Sequence, residues 1–240
     1  MIKLLQGDCL ELMQSIPDCS IDLVVSDVPY HIISGGCTNN AVYFKSMPSG
    51  MLSRRTSIYA KQGKIFKHND IEFHEWLPSV YRVLKDNSHC YFMVNGRNLK
   101  DLQTEAEKVG FKYQNLLVWD KGNCTPNRYY LNACEFILFL RKGNAKNINN
   151  LGSKTIIRVP NVRNKTHPTE KPVDLMKILI ENSSNENDTV LDPFMGSGSS
   201  GIAAKELDRN FIGIELDKDY FDIAKKRIEA EQREITLWVR

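Results

Sequence analysis

Two stretches of this 240-residue chain hold side chains whose types and spacing could do chemistry. The first is Gly196-Ser197-Gly198-Ser199-Ser200-Gly201, followed by Glu215. A glycine turn into a helix offers backbone N–H groups to a small ligand, and an acidic side chain about 20 residues further on can take two ribose hydroxyls, so this stretch suits a nucleoside. The glycine pattern by itself is weak, because strand-to-helix turns in many sheet proteins share it. The second stretch is Asp27-Val28-Pro29-Tyr30, which sets a carboxylate, a main-chain carbonyl restricted by the following proline and an aromatic ring in immediate succession.

Both stretches lie where an apolar run stops. Ile21 to Ser26 reads as a strand that delivers Asp27, Thr189 to Leu191 as one that delivers Asp192, and Phe211 to Ile214 as one that delivers Glu215. Ligands of open parallel sheets bind at the carboxyl ends of strands where the strand order switches, so neighbouring ends of this kind would form one site. Ser199 and Ser200 are expected to cap the helix that follows the glycines, and Asp8 to cap a helix over Cys9 to Ser15. Between the two stretches, helices are expected over Glu72 to Leu84 and Asn98 to Val109, and strands over His89 to Val94, Phe111 to Trp119 and Ala133 to Leu140, the last carrying Glu135. Lys121 to Tyr130 reads as a segment after a strand end, placed to line a substrate pocket, Asp22 as a residue at the solvent edge of its strand, and Thr236 to Val239 as an apolar end packed on the core. Helices over Val173 to Glu181, after Pro172, and over Asp217 to Glu231 complete the pattern.

With 42% hydrophobic residues the chain can bury a sizeable core, and its length suits a single domain over residues 1–240. It shows neither a leader-like start nor a run of 18 apolar residues, from which a cytoplasmic protein with no membrane partner is expected. Six cysteines without a C-x-x-C pair or a histidine cluster predict neither disulfides nor a metal site. Net charge is +3, but basic residues gather in two places: Lys45, Arg54, Arg55, Lys61, Lys64 and Lys67 lie within 31–69 without an acidic residue, and 141–171 holds lysines and arginines against Glu170 alone. Such clustering suits phosphate contacts.

Asp27-Val28-Pro29-Tyr30 resembles the Asp-Pro-Pro-Tyr motif of the amino-group DNA methyltransferases that use S-adenosylmethionine, and Asp192-Pro193-Phe194-Met195-Gly196-Ser197-Gly198 resembles their cofactor motif. Gly7-Asp8-Cys9, His167-Pro168-Thr169-Glu170-Lys171-Pro172 and Phe211-Ile212-Gly213-Ile214-Glu215-Leu216 fit the same family, and the order of motifs, catalytic before cofactor, is similar to its beta arrangement. The resemblance implies an α/β, circularly permuted Rossmann-like methyltransferase fold, with a mostly parallel seven-stranded sheet, helices on both faces and one reversed strand from the Phe111 to Leu140 region. It implies that Asp8 accepts from the adenine amine of S-adenosylmethionine, that Thr169 and Lys171 reach its methionine end with Lys171 on the carboxylate, that Asp192 meets its amino group, that the N–H groups of Phe194, Gly196 and Gly198 approach the amino-acid portion, and that Glu215 holds the ribose.

On the catalytic side the resemblance implies that Asp27 and the carbonyl of Val28 accept hydrogen bonds from the target exocyclic amine, with Pro29 restricting residue 28 and Tyr30 stacking on a base flipped out of the duplex. Valine at 28 departs from the family's proline, yet it supplies the same carbonyl. Aspartate at 27 leans toward adenine N6 over cytosine N4. Two basic, DNA-facing insertions are expected at about 31–70, with Arg54, Arg55, Lys61 and Lys64, and at about 141–165, with Lys154, Arg158, Arg163 and Lys165; Arg128 is a further DNA candidate. Duplex DNA is the implied partner, a homodimer and a cognate restriction endonuclease are further ones, and no metal is needed, since a methylsulfonium is already activated. Methylation of RNA or protein amines, a nicotinamide-dependent oxidoreductase and a noncatalytic DNA-binding module are the alternatives. The oxidoreductase leaves Asp27 to Tyr30 without a purpose.

Overall fold

The computed structural model describes residues 1–30, 71–125, 130–162 and 170–231. The chain divides into two compact units, Met1–Val28 with Glu72–Arg240, and Pro29–Ile71. Of the second, only Pro29, Tyr30 and Ile71 are described, so every element below belongs to the first. Its strands are β1 (Ile2–Gln6), β2 (Ile21–Asp27), β3 (Leu84–Val94), β4 (Lys112–Thr125), β5 (Asn132–Arg141), β6 (Ile156–Arg158), β7 (Thr189–Asp192) and β8 (Asn210–Glu215). They form one sheet in the order β1-β8-β7-β2-β3-β5-β4-β6, in which β5 alone runs antiparallel to its neighbours.

The single reversed strand and the permuted order agree with the sequence reading: the late strands β7 and β8 are seated between the early strands β1 and β2. The strand count does not. Eight strands replace the expected seven, because β6, only three residues long, pairs with Val118 to Asp120 of β4 inside a stretch too short and too polar to show a period. Lys121 to Thr125 continues β4, where the sequence suggested that the strand had ended.

Helices cover both faces because successive strand residues point to opposite sides. On one face Leu23, Val25, Tyr91, Met93, Ile137 and Phe139 pack with residues of α4 (Val173–Ser183), α5 (Ser199–Glu206) and α6 (Lys218–Ala230) in one buried cluster. On the other, Phe92 meets Trp76 of α2 (Phe73–Val83) edge-on at 5.1 Å and Phe111, just beyond α3 (Leu99–Val109), at 6.3 Å. Edge-on ring pairs of this kind contribute about 0.5–1.5 kcal/mol each beyond their burial. Strands β2 and β3 are therefore apolar on both sides, which accounts for their continuous hydrophobic runs. α2 begins with a capping box between Glu72 and Glu75, and α3 ends at Gly110 in the left-handed region (φ 116°).

Cys9–Leu12 is the short first helix, extended by a 3-10 turn over Met13–Ser15, and Asp8 caps it as expected, accepting from the Leu10 N–H at 2.8 Å. The cap of α5 differs from expectation. Gly198 (φ 82°) occupies the cap position and neither Ser199 nor Ser200 makes a capping bond. A Cβ at residue 198 would stand 3.0 Å from Ala224 Cβ and 3.0 Å from Ile228 Cδ1, so glycine is what lets the turn close against α6. Asp22 also differs: it is partly buried, bonded to Lys85 at 2.5 Å and accepting from the Thr189 N–H at 3.0 Å, and so ties β2 to β7. Thr236 to Val239 lies outside the described residues. Among those residues no helix is long and apolar enough to cross a membrane, and no cluster of side chains is suited to a metal.

Candidate active site

The carboxyl ends of β1, β8, β7 and β2 stand next to one another, and each carries an acidic residue: Asp8 just beyond β1, Glu215, Asp192 and Asp27. From the seam between β7 and β2 the chain order runs outward in opposite directions, which makes this the switch point where ligands of open sheets bind. The ends are tied together. The Gly7 N–H donates to the Glu215 carbonyl at 2.9 Å, and the Met195 N–H donates to the Ile214 carbonyl at 2.9 Å.

Glu215 holds the glycine turn. Its Oε2 accepts from the Gly196 N–H at 2.9 Å and its Oε1 from the Asp217 N–H at 2.8 Å. Burial raises its carboxyl pKa, and the two backbone donors only partly offset that. A carboxylate offers about four lone-pair sites, so acceptor capacity for hydroxyl groups remains on both oxygens. Gly196 (φ 53°) has nothing within 4 Å of where a Cβ would stand, which leaves the turn open on that side. Asp8, partly buried beyond the neighbouring strand, provides a further carboxylate. This donor and acceptor set fits a nucleoside cofactor.

Asp192 is engaged by its own chain. It is 2% exposed and its oxygens take hydrogen bonds from the chain itself: Oδ1 from Ser26 Oγ at 2.6 Å and the Phe194 N–H at 3.1 Å, Oδ2 from Ser200 Oγ at 2.5 Å. It therefore clamps β2, the glycine turn and α5. Burial pushes its carboxyl up from 3.8 to about 6, against the pull of Ser200, Ser26 and the Phe194 amide. The folded chain thus keeps a proton there at a pH where the unfolded chain releases it; this contribution to stability is full below the ordinary aspartate value and is lost as pH rises through about 6. We expect the stability difference between the parent and Asp192→Asn to change by roughly 2 kcal/mol between pH 4 and pH 7, in favour of the variant at the higher pH. Urea midpoints across that range measure it; a difference independent of pH would count against the buried carboxyl.

Asp27 ends a column of side chains, Leu23-Val25-Asp27, on the α4–α6 face of the sheet, where Leu23 and Val25 lie in the core. On β5 the column Phe139-Ile137-Glu135 climbs to the same rim, and on β4 Trp119 is followed by Lys121. Lys171, just before α4, roofs the row. Its ammonium stands 2.7 Å from Asp27 Oδ2 and 3.2 Å from Glu135 Oε2, and Lys121 stands 3.3 Å from Glu135 Oε1. The cation expected on the cofactor's carboxylate is thus engaged by two carboxylates of its own chain. Glu170, beside it, pairs with Arg227 of α6 at 2.7 Å, and the same guanidinium donates to the Ser197 carbonyl at 2.6 Å.

Val28 is 2% exposed, and its N–H donates to the Met93 carbonyl at 3.4 Å. Valine at the position where the family has proline thus fills core space and makes a bond that proline lacks the hydrogen to make. Pro29 and Tyr30 belong to the second unit, and both are partly buried. Phe194 packs edge-on against Trp76 at 5.2 Å. Sequence reasoning assigned no role in the site to Ser26, Ser200, Glu135 or Glu170, and placed Lys121 only within a segment lining the pocket. A lone acidic residue in an apolar strand was the one available signal, at Glu135.

The second basic stretch is only partly a surface. Lys142 is buried and donates to the carbonyls of Tyr81 at 3.0 Å and Leu84 at 2.7 Å, Arg141 bonds Gln114 at 2.8 Å, and Asn149 donates to the carbonyls of Glu181 at 2.8 Å and Ser184 at 2.9 Å. Lys154 and Arg158 are exposed, the latter 3.5 Å from Asp120 at the active-site rim. Arg54, Arg55, Lys61, Lys64, Arg128, Arg163, Lys165 and Thr169 lie outside the described residues.

A family model described as DNA methylase, of the N6/N4 type, matches residues 21–226. Type II methyltransferase M2.MboI of Moraxella bovis is 32% identical over 241 residues, covering 92% of this chain and 85% of that protein. M2.DpnII of Streptococcus pneumoniae, also a Type II methyltransferase, is 31% identical, with 95% and 90% covered. Among solved structures, the M1.HpyAVI–SAM complex matches with a TM-score of 0.70 at 28% identity over 95% of this chain and 100% of that one. The cytosine-N4-specific PvuII DNA methyltransferase, 18% identical, shares the fold with a TM-score of 0.70 over 98% of this chain and 88% of its own. The match spans both Asp27 on β2 and Glu215 on β8, and the structure sets their strands on either side of β7 at one switch point: the chain belongs to the N6/N4 DNA methylase family.

Proposed function

We propose that the chain transfers a methyl group from S-adenosylmethionine to N6 of adenine in duplex DNA, at a specific sequence and with the target base out of the stack. The observation that carries this reading is the division of labour across the switch point: an acceptor carboxylate, Asp27, at the end of β2, and a nucleoside-binding set, Gly196, Glu215 and Asp8, at the ends of the strands beside it. S-adenosylmethionine supplies a methyl group already activated on a sulfonium. Asp27 and the Val28 carbonyl accept hydrogen bonds from the target amine, favour the pyramidal nitrogen and stabilise the positive charge that grows on it. Asp192, clamped by Ser26 and Ser200, holds the two halves of the site in register. Glu215 anchors the ribose, with Asp8 toward the adenine.

In this reading the segments 31–70 and 141–165 face DNA within one methyltransferase domain, with Lys154 and Arg158 among the phosphate contacts, and the enzyme works in the cytoplasm beside a restriction endonuclease of the same specificity, as a homodimer. Duplex DNA incubated with the protein and S-adenosylmethionine, then digested to nucleosides, should yield N6-methyldeoxyadenosine by mass spectrometry. N4-methyldeoxycytidine in its place would reassign the base; methyl incorporation confined to RNA or protein would overturn the reading.

A further inference from the structure

Glu135 has no part in the roles assigned so far, yet it is the only acidic residue of β5 and sits at the centre of the row of charges on the rim. Burial by itself would raise its carboxyl pKa, but the ammonium groups of Lys171 and Lys121 outweigh that and hold it below the ordinary glutamate value, so the group is ionised at neutral pH. A neutral side chain on this rim would spare the chain the cost of desolvating a charge. The position of that charge shows what it can do. Lys171, 7% exposed, divides its ammonium between Asp27 at 2.7 Å and Glu135 at 3.2 Å.

During transfer the lone pair of the target nitrogen forms the new N–C bond while the methyl–sulfur bond breaks and leaves its electron pair on sulfur. Positive charge grows on the nitrogen until its proton passes to solvent. Asp27 stabilises that charge, whereas an ammonium in contact with Asp27 opposes it. A second carboxylate on the same ammonium offsets the opposition. We propose that Glu135 is a positioning residue for methyl transfer that acts through Lys171: its carboxylate draws the ammonium toward β5 and so leaves Asp27 the stronger acceptor for the target amine. The inference rests on the assignment of Asp27 as that acceptor.

Charge and shape make opposite forecasts here. Glu135→Gln keeps the length and an acceptor oxygen but removes the charge; Glu135→Asp keeps the charge but shortens the reach. In single-turnover transfer with prebound S-adenosylmethionine and saturating DNA, Glu135→Gln should be about tenfold slower than the parent and Glu135→Asp within about threefold of it, with cofactor and DNA affinities unchanged in both. In a Lys171→Met background the further change Glu135→Gln should have no effect beyond about twofold, because the residue it acts through is gone. A parent rate for Glu135→Gln, or Glu135→Asp at least as slow as Glu135→Gln, would overturn the proposal. Asp27→Ala measured in the same assay keeps the two ideas apart: a parent rate there removes the acceptor assignment, while a strongly slowed Asp27→Ala beside a parent-rate Glu135→Gln removes only the role of Glu135.

Discussion

Asp27→Ala is expected to slow methyl transfer to DNA by at least about 100-fold, the loss typical of removing one positioned group that stabilises charge in the transition state. The structure also predicts that the variant folds. Lys171 loses its contact at 2.7 Å but keeps Glu135 at 3.2 Å, so no ammonium is orphaned under α4 and the penalty of about 3–5 kcal/mol for breaking a buried pair is largely avoided. Cofactor affinity should be nearly preserved, since Glu215 and the glycine turn are held by bonds that do not involve Asp27. Single-turnover measurement with prebound S-adenosylmethionine and saturating DNA isolates the chemical step from product release. A variant that transfers methyl groups at the parent rate would show that Asp27 is not the acceptor.

The second large effect is on binding. Glu215→Ala should weaken S-adenosylmethionine by about 100-fold, which corresponds to two hydrogen bonds to a carboxylate at roughly 1.5 kcal/mol each. The same change removes the acceptors of the Gly196 and Asp217 amides, so the turn loosens as well. Glu215→Gln separates the two contributions, because it retains the size and one acceptor oxygen. Titration calorimetry gives both affinities, and DNA binding serves as the control that should not move. Unchanged cofactor affinity in Glu215→Ala would reduce the residue to a brace for the turn.

Much of the catalytic end was legible before any coordinates. Asp27, Asp192 and Glu215 each close an apolar run, and a run of buried residues that stops abruptly at a carboxylate marks a strand end whatever its neighbours are. The same abruptness placed β5 and most of α2 to α6 to within a few residues. β6 was invisible because three residues carry no period, and it exists only because β4 offers a free edge at Val118 to Asp120. The far end of β4 was missed for a related reason: Lys121 to Thr125 is polar on a strand margin, Gly122 breaks the extended run (φ 65°), and the pairing with β5 resumes only at Thr125 opposite Asn132.

Charge was where local reading reached least far. In the stretch 141–171, lysines and arginines look alike in sequence, yet Lys142 closes off backbone carbonyls under β3, Lys171 joins Asp27, and the exposed Arg158 stands beside Asp120. Nothing within a few residues of each separates these fates, because the partner that settles the matter lies 58 residues away for Lys142 and 144 for Lys171.

What local pattern sufficed to establish, then, is the set of strand ends, the glycine turn and the family: hydrophobic period and turn chemistry are properties of neighbouring residues, and the motifs are contiguous. The order β8-β7-β2, which brings Glu215, Asp192 and Asp27 to one rim, arises only when the late strands pair between the early ones. The same packing makes Asp192 a clamp, since two serines from different elements donate to its buried carboxylate, and it links Glu135 to Asp27 through Lys171 by raising their columns above one core. Electrostatic roles depend on distance and burial, and both are fixed by the closing of the sheet and its helices rather than by the chain's local grammar.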